Sequence, residues 1–293
     1  MGTRWSLRLD KEQASAELCQ RIQGIVERID AQMSTWRGES DLMRLNMAPN
    51  ETWIELPEEL FAVLMIAEEV RLASGGAFDI GIGPVVTAWG FGPACGQADV
   101  AAIRNLAGHR LNASLDYDSA RRRARKMADM ALDLSGIAKG YAVDLMAAEM
   151  QSRGIGDFVA SLDGEILARG KRPEGANWSV ALEEPDPQLR AARGVISVSD
   201  QALATSGDYR HRVKCGDEWL SHTIDPRSGL PVRNNLASVT VLAADCARAD
   251  AWATALMVLG ETAGPIFARS RGIEAIFLIR NGAKISEVTT LTN

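Results

Sequence analysis

Ala275-Ile276-Phe277-Leu278-Ile279-Arg280-Asn281-Gly282-Ala283-Lys284-Ile285-Ser286-Glu287-Val288 reads as two apolar-rich runs joined at an Asn-Gly pair. Asn and Gly tolerate the positive φ angles of a tight hairpin, so Ala275–Arg280 and Lys284–Val288 are expected to pair antiparallel around Asn281-Gly282. Working outward, short β-rich segments occupy Leu132–Leu134, Phe158–Leu162, Trp178–Leu182, Val195–Val198 and Leu236–Ala243, and Thr3–Leu9 alternates like a strand. Apolar residues at Ala14, Leu18, Ile22, Ile25, Ile29 and Met33 form one helical stripe. Further helices are expected from Pro57 to about Ser74, closed by Gly75 and Gly76, and from about Ile137 to Arg153, closed near Gly154. Two more cover Ala247–Leu259, ending at Gly260, and Pro265–Arg271. Asp41–Asn46 reads as a turn, and Gly75–Gly96 as an ordered glycine-rich loop system holding Phe78, Trp89 and Phe91. Helices interleaved with hairpins give an α+β class, a compact fold of mixed or antiparallel sheets with packed helices. No compositional break marks a linker, so residues 1–293 are expected to form a single domain, with an active-site cleft between two lobes.

Bulk properties narrow the function. The chain has 293 residues, 46% of them hydrophobic, which is enough for a sizeable core. A net charge of −6 argues against a nucleic-acid groove, which needs clustered Lys and Arg. The basic run Arg121-Arg122-Arg123, with Arg125 and Lys126, reads as a solvated strand or loop edge. The sequence pattern gives no apolar stretch long enough to span a bilayer. Neither a signal peptide nor a lipid-attachment cysteine follows Met1, so the sequence as given reads as cytoplasmic, or periplasmic if an export segment has been removed. Cys19, Cys95, Cys215 and Cys246 lack zinc-site spacing and read as free buried thiols.

Four segments carry possible chemistry. Asp250 and Thr254 lie one helical turn apart in Ala249–Thr254, so their oxygens share a face. Two hard ligands suit Mg²⁺, which keeps waters and completes its octahedron with substrate phosphates; a dipole-favoured Asp beside a core-facing Thr explains the pair equally simply. Asp133–Tyr141 runs from an extended segment through Gly136 into a helix, where free amides and Lys139 could receive a phosphate, although it is no Walker loop. Thr205–Arg210 and Ser221–Gly229 bring His222 near acids and hydroxyls, and such a His can act as a base near neutral pH or simply be structural. Ala77–Pro84 and Trp89–Gly92 join glycines to aromatics that could stack on a flat ring or fill a core.

Taken in order, Met1–Ser6, Met33–Trp36 with Ser40–Asn46, Ala77–Pro84, Asp133–Tyr141, Ala204–Arg210, His222–Gly229 and Ala249–Thr254 resemble the ApbE family of FAD:protein FMN transferases. The resemblance covers nearly the whole chain and implies the ApbE-like fold. It implies Mg²⁺ held by Asp250, Thr254 and the Gly136 carbonyl, and FAD as substrate lined by Met33, Ala77, Phe78, Asp79, Asp133, Lys139 and Ile224. His222 matches the position that activates a Ser or Thr hydroxyl of an acceptor protein carrying a flavinylation motif; FMN would join that oxygen and AMP would leave. An FAD pyrophosphatase or a non-catalytic FAD carrier are the alternatives. One departure stands out: Asp163-Gly164-Glu165 replaces the family's usual Gly-Gly-Glu, placing an Asp where a glycine is expected.

Overall fold

The computed structural model describes residues 3–92, 98–106, 114–186, 191–209, 212–215, 218–282 and 284–292, with backbone alone at 212–215 and 218–219. The chain order is β1 (Trp5–Leu9), α1 (Ala16–Met33), α2 (Asp41–Met47), β2 (Ile54–Glu55), α3 (Glu58–Ala73), α4 (Gly83–Ala88) and α5 (Val100–Leu106). Then come β3 (Leu115–Asp118), β4 (Arg123–Lys126), α6 (Ala138–Ser152), β5 (Phe158–Leu162), β6 (Glu165–Arg169), β7 (Trp178–Glu183) and β8 (Ala192–Val198). β9 (Gln201–Gly207), β10 (Arg212–Cys215), β11 (Glu218–Ser221), β12 (Ile224–Asp225) and β13 (Leu230–Pro231) follow. The last elements are β14 (Leu236–Ala243), α7 (Cys246–Arg271), β15 (Glu274–Asn281) and β16 (Lys284–Thr289). The chain divides into two compact units. The first comprises Met1–Glu27, Lys139–Arg210 and Asn235–Asn293; the second comprises Arg28–Ala138 and His211–Asn234.

The first unit is built on a seven-stranded sheet in the order β1-β5-β6-β9-β14-β15-β16. Every neighbouring pair in it is antiparallel. The terminal hairpin forms as its pattern demands. Asn281 pairs with Lys284, so it closes the strand, and Gly282 (φ 63°) supplies the left-handed turn residue one position later than expected. Central β14 is buried from Leu236 to Leu242 because both faces are covered. Val239 and Val241 pack with Leu256, Met257 and Phe277 beneath α7, while Ala237, Ile276 and Leu278 meet Leu182 and Ile196 of the β7–β8 hairpin. Each such large side chain contributes about 1.5–3 kcal/mol by leaving water.

The second unit holds α3, whose Leu60, Phe61, Val63, Leu64, Ala67 and Val70 are buried, and a three-stranded sheet β2-β4-β3. The basic run forms β4 and the turn before it. Arg123 and Arg125 sit over the ring of Trp53, at 4.7 and 4.6 Å from its centroid, and pair with Asp118 and Asp116. Lys126 is buried, not solvated, and its ammonium donates to the carbonyl of Asn46.

Several expectations change. Asp41–Asn46 is helix α2 and not a turn: Ser40 caps it by accepting from Met43 N, and Leu42 and Leu45 supply a buried face too short to register as periodic. The loop system after Gly76 contains a 3₁₀ turn at Ile80–Ile82 and helix α4, with Pro84 in its first turn; the part at 93–97 lies outside the described residues. Leu132–Leu134 joins no ladder. Asn46 substitutes for a partner strand there, taking Leu132 N on Oδ1 (2.7 Å) and giving Nδ2 to Leu132 O (3.0 Å). Cys246 is buried but Cys19 is exposed, whereas Cys95 and the Cys215 side chain lie outside the described residues. Among the described residues one helix, α7, is long and apolar enough to cross a membrane. Its apolar residues form the core against β9, β14 and β15, and Gly260 (φ 82°, ψ 178°) breaks it where the sequence separates two helices.

Candidate active site

In the first unit, α6 and α7 hold Lys139, Asp250 and Thr254. Asp245 caps α7 by accepting from Arg248 N at 2.9 Å. Asp250, in the second turn, is buried and its Oδ2 accepts from Gly140 N at 3.2 Å. Thr254 lies one turn further, half-buried, with Oγ1 3.2 Å from Ser206 Oγ of β9. Gly140 must be glycine, since a Cβ there would meet the Cys246 carbonyl and come within 2.9 Å of the Ala247 Cα. Beside it, Lys139 Nζ contacts Glu165 Oε1 at 2.6 Å and lies 3.9 Å from Asp163 Oδ2. Asp144, one turn along α6 from Gly140, accepts from Cys246 N on Oδ1 (2.7 Å) and from Ala247 N on Oδ2 (2.9 Å). The Cys246 thiol points to the carbonyls of Ile166 and Leu203, at 3.6 and 3.8 Å.

Negative charge exceeds positive charge in this cluster. Burial, then the neighbouring Glu165, push Asp250 up to about 8, against the opposing pull of Lys139 and Gly140 N. Burial raises Asp144 to about 6, although the amides of Cys246 and Ala247 favour its charged form. Glu165 is also raised, by burial first, with Lys139 opposing. Burial opposes the charge of Lys139, yet Glu165, Asp250 and Asp163 together hold its pKa above the ordinary value. Carboxylates so placed fit a further cation. Among the described residues no group of three or more His, Cys, Asp or Glu could hold a metal ion. Asp250 and Thr254 offer two oxygens on one helix face, a donor set that would leave most of a hard cation's shell to substrate and water.

Asp163 occupies the turn between β5 and β6 with φ 60°, while its neighbours Leu162 and Glu165 pair directly. A left-handed residue explains why glycine suits this position, and Asp is among the few other residues that tolerate it. The turn delivers Glu165 to Lys139.

In the second unit, Asp79 is buried and caps the Ile80–Ile82 turn by accepting from Gly81 N at 2.8 Å. Phe78 N donates to Ser74 Oγ (3.1 Å), and Asp133 N donates to Ile80 O (2.8 Å). Asp133 Oδ1 accepts from Ser135 N (2.8 Å), turning the chain at Gly136 toward α6. Met33, Phe78 and Ile224 are 4%, 4% and 3% exposed and Ala77 is 0% exposed, so as they stand these residues offer a ligand almost no side-chain surface. Ile224 packs with Val85, Trp89 and Leu220. His222 is half-buried, its ring edge-on to Phe91 at 6.4 Å between centroids. Of the expected site residues, Lys139, Asp250 and Thr254 thus lie in the first unit. Met33, Ala77, Phe78, Asp79, Asp133, Gly136, His222 and Ile224 lie in the second.

The ApbE family profile matches residues 1–277. The chain belongs to the ApbE family. It is 32% identical to an FAD:protein FMN transferase of Vibrio cholerae over 285 residues, covering 96% of this chain and 85% of the relative. It is also 32% identical to the FAD:protein FMN transferase of Escherichia coli K12 over 290 residues, covering 96% and 83%. Among solved structures, the flavin transferase ApbE from Vibrio cholerae superposes with TM-score 0.87 at 31% identity, covering 99% of this chain and 94% of that one. The apo form of the Pseudomonas stutzeri flavinyl transferase ApbE also gives 0.87 at 31% identity, covering 99% and 92%. The α+β class of antiparallel sheets with packed helices is the fold of this family.

Residue patterns alone missed four contributors: Asn46, Asp144, Glu165 as the partner of Lys139, and Ser206 beside Thr254. Asp144 had a legible signal, since it stands at i+4 from Gly140 on one helix face. The others depend on contacts distant in sequence.

Proposed function

We propose that this chain is an FAD:protein FMN transferase that uses Mg²⁺ to move FMN from FAD onto a Ser or Thr hydroxyl of an acceptor protein. The observation behind the metal reading is geometric: a buried Asp250 carboxyl, with Thr254 one turn later on the same face of α7. The flavin reading rests on family membership across residues 1–277. Asp250, Thr254 and the Gly136 carbonyl would hold the ion, which when bound neutralises charge on the pyrophosphate. Met33, Ala77, Phe78, Asp79, Asp133, Lys139 and Ile224 would contribute to FAD binding, as family membership implies. Lys139, fixed by Glu165, presents a permanent positive charge to the diphosphate. His222 takes the proton of the acceptor hydroxyl. That oxygen then bonds to the FMN phosphorus as the bond to the AMP oxygen breaks, and AMP leaves. Base assistance of this kind is worth about 10²–10⁴-fold, and the rest is positioning.

The test is intact-mass analysis after incubating the protein with FAD, Mg²⁺ and an acceptor domain bearing a flavinylation motif. An FMN adduct is the expected result. Free FMN and AMP without an adduct would make the protein a pyrophosphatase, and bound, unchanged FAD would make it a carrier. His222→Ala should slow transfer far more than it weakens FAD binding; a loss confined to FAD affinity would overturn the base role.

A further inference from the structure

Helices α6 and α7 are fastened at two points one helical turn apart. At the first, Gly140 lies against the Cys246–Ala247 backbone and its N–H donates to Asp250 Oδ2 at 3.2 Å. At the second, the two oxygens of Asp144 take the N–H groups of Cys246 (2.7 Å) and Ala247 (2.9 Å). The opening amides of a helix have no partner within it. Here they are met from another helix, although Asp245 already caps α7 through Arg248 N. Cys246 and Asp250 stand at i and i+4, so whatever fixes the Cys246 amide fixes the turn from which the Asp250 carboxylate projects.

We propose that Asp144 is a positioning residue for Asp250: its carboxylate sets the distance between α6 and the first turn of α7, and thereby the affinity of the site for a divalent cation. The inference rests on the metal assignment above. A cap that only stabilised the helix would, on removal, lower the melting temperature and leave ion binding intact. Groups that orient metal ligands typically change metal affinity by about 10–100-fold when removed.

The experiment measures Mn²⁺ binding to the full chain by the electron paramagnetic resonance of the free ion, with circular dichroism and melting temperature alongside. Asp144→Asn keeps the side-chain volume but turns one acceptor into an amide NH₂ donor facing a backbone N–H. It should bind Mn²⁺ at least about tenfold more weakly than the parent at temperatures where it is fully folded. Asp144→Glu keeps both acceptors but lengthens the arm by one methylene, so it too should weaken binding; it is the deciding variant if the Asn form does not fold. In turnover, the Mg²⁺ concentration for half-activation should rise while the KM for FAD holds. Mn²⁺ affinity within twofold of the parent in a folded variant, with only the melting temperature lowered, overturns the proposal. An Asp250→Ala control that binds Mn²⁺ like the parent would instead overturn the metal assignment itself.

Discussion

Alanine in place of Gly140 separates two effects that usually travel together. Inside a helix alanine is favoured over glycine by about 1 kcal/mol. At exposed Gly24 in α1 a new Cβ meets nothing within 4 Å, so Gly24→Ala should stabilise by up to about that amount. At Gly140 the same Cβ would fall on the Cys246 carbonyl oxygen, 2.7 Å from its carbon and 2.9 Å from the Ala247 Cα. These are backbone atoms and cannot rotate away, and carbon atoms settle at about 3.5–4.0 Å. Helix α7 must therefore retreat by several tenths of an ångström or more. Overpacking of this kind costs about 1–3 kcal/mol, and stretching the two Asp144 bonds adds about 1–3 kcal/mol for buried groups left poorly paired. Set against the helical gain of about 1 kcal/mol, the net is a loss of about 1–5 kcal/mol. At about 2–4 °C per kcal/mol the melting temperature should fall by roughly 2–20 °C. The assay is thermal unfolding of parent, Gly24→Ala and Gly140→Ala, followed by circular dichroism. A Gly140→Ala protein that melts at or above the parent would falsify the close packing of α6 on α7.

Three further outcomes follow from the site. Asp250 sits near 8 in the metal-free protein against 3.8 unfolded, so the folded state holds the extra proton and its stability falls as pH rises through that interval. Mg²⁺ replaces the proton; the rise in melting temperature on adding Mg²⁺ should be larger at pH 8.5 than at pH 6, and equal rises at both would refute the assignment. Asn46→Ala strips both partners from the Leu132 backbone, which should cost about 1–3 kcal/mol and weaken FAD binding, read by flavin fluorescence, while Mn²⁺ affinity holds. Asp163→Gly relieves a left-handed residue and gives up only a long, exposed ion pair with Lys139 at 3.9 Å, so the melting temperature should rise by about a degree or more; a fall would mean the Asp side chain stabilises the turn.

Much of the fold was legible because strong local signals coincided with tertiary need. The Asn281-Gly282 hairpin, the stripe of α1 and the Gly260 break in α7 each follow from residues that allow little else. The failures share a cause. Helix α2 is two turns long, and its cap at Ser40 carries more information than its apolar spacing. The Leu132–Leu134 segment looks like a strand because it is extended and buried, but its pairing partner is a side chain 86 residues away. The site behaves similarly. Helical spacing puts Asp250 and Thr254 on one face, whereas the electrostatic setting of Asp250 arises only when Glu165, Lys139 and Asp144 fold beside it.

The thiol of Cys246 opens a helix, a setting that ordinarily lowers a cysteine's pKa and makes it nucleophilic. Here burial, then Asp144, Glu165 and Asp250, push it the other way, well above its usual value. Burial first, and the surrounding carboxylates after it, thereby suppress the thiolate, the form on which oxidants and alkylating agents act. Burial thus shields Cys246 and disfavours its reactive form, while exposed Cys19 remains open to reagents. A redox insult would reach the surface of α1 well before it reached the first turn of α7.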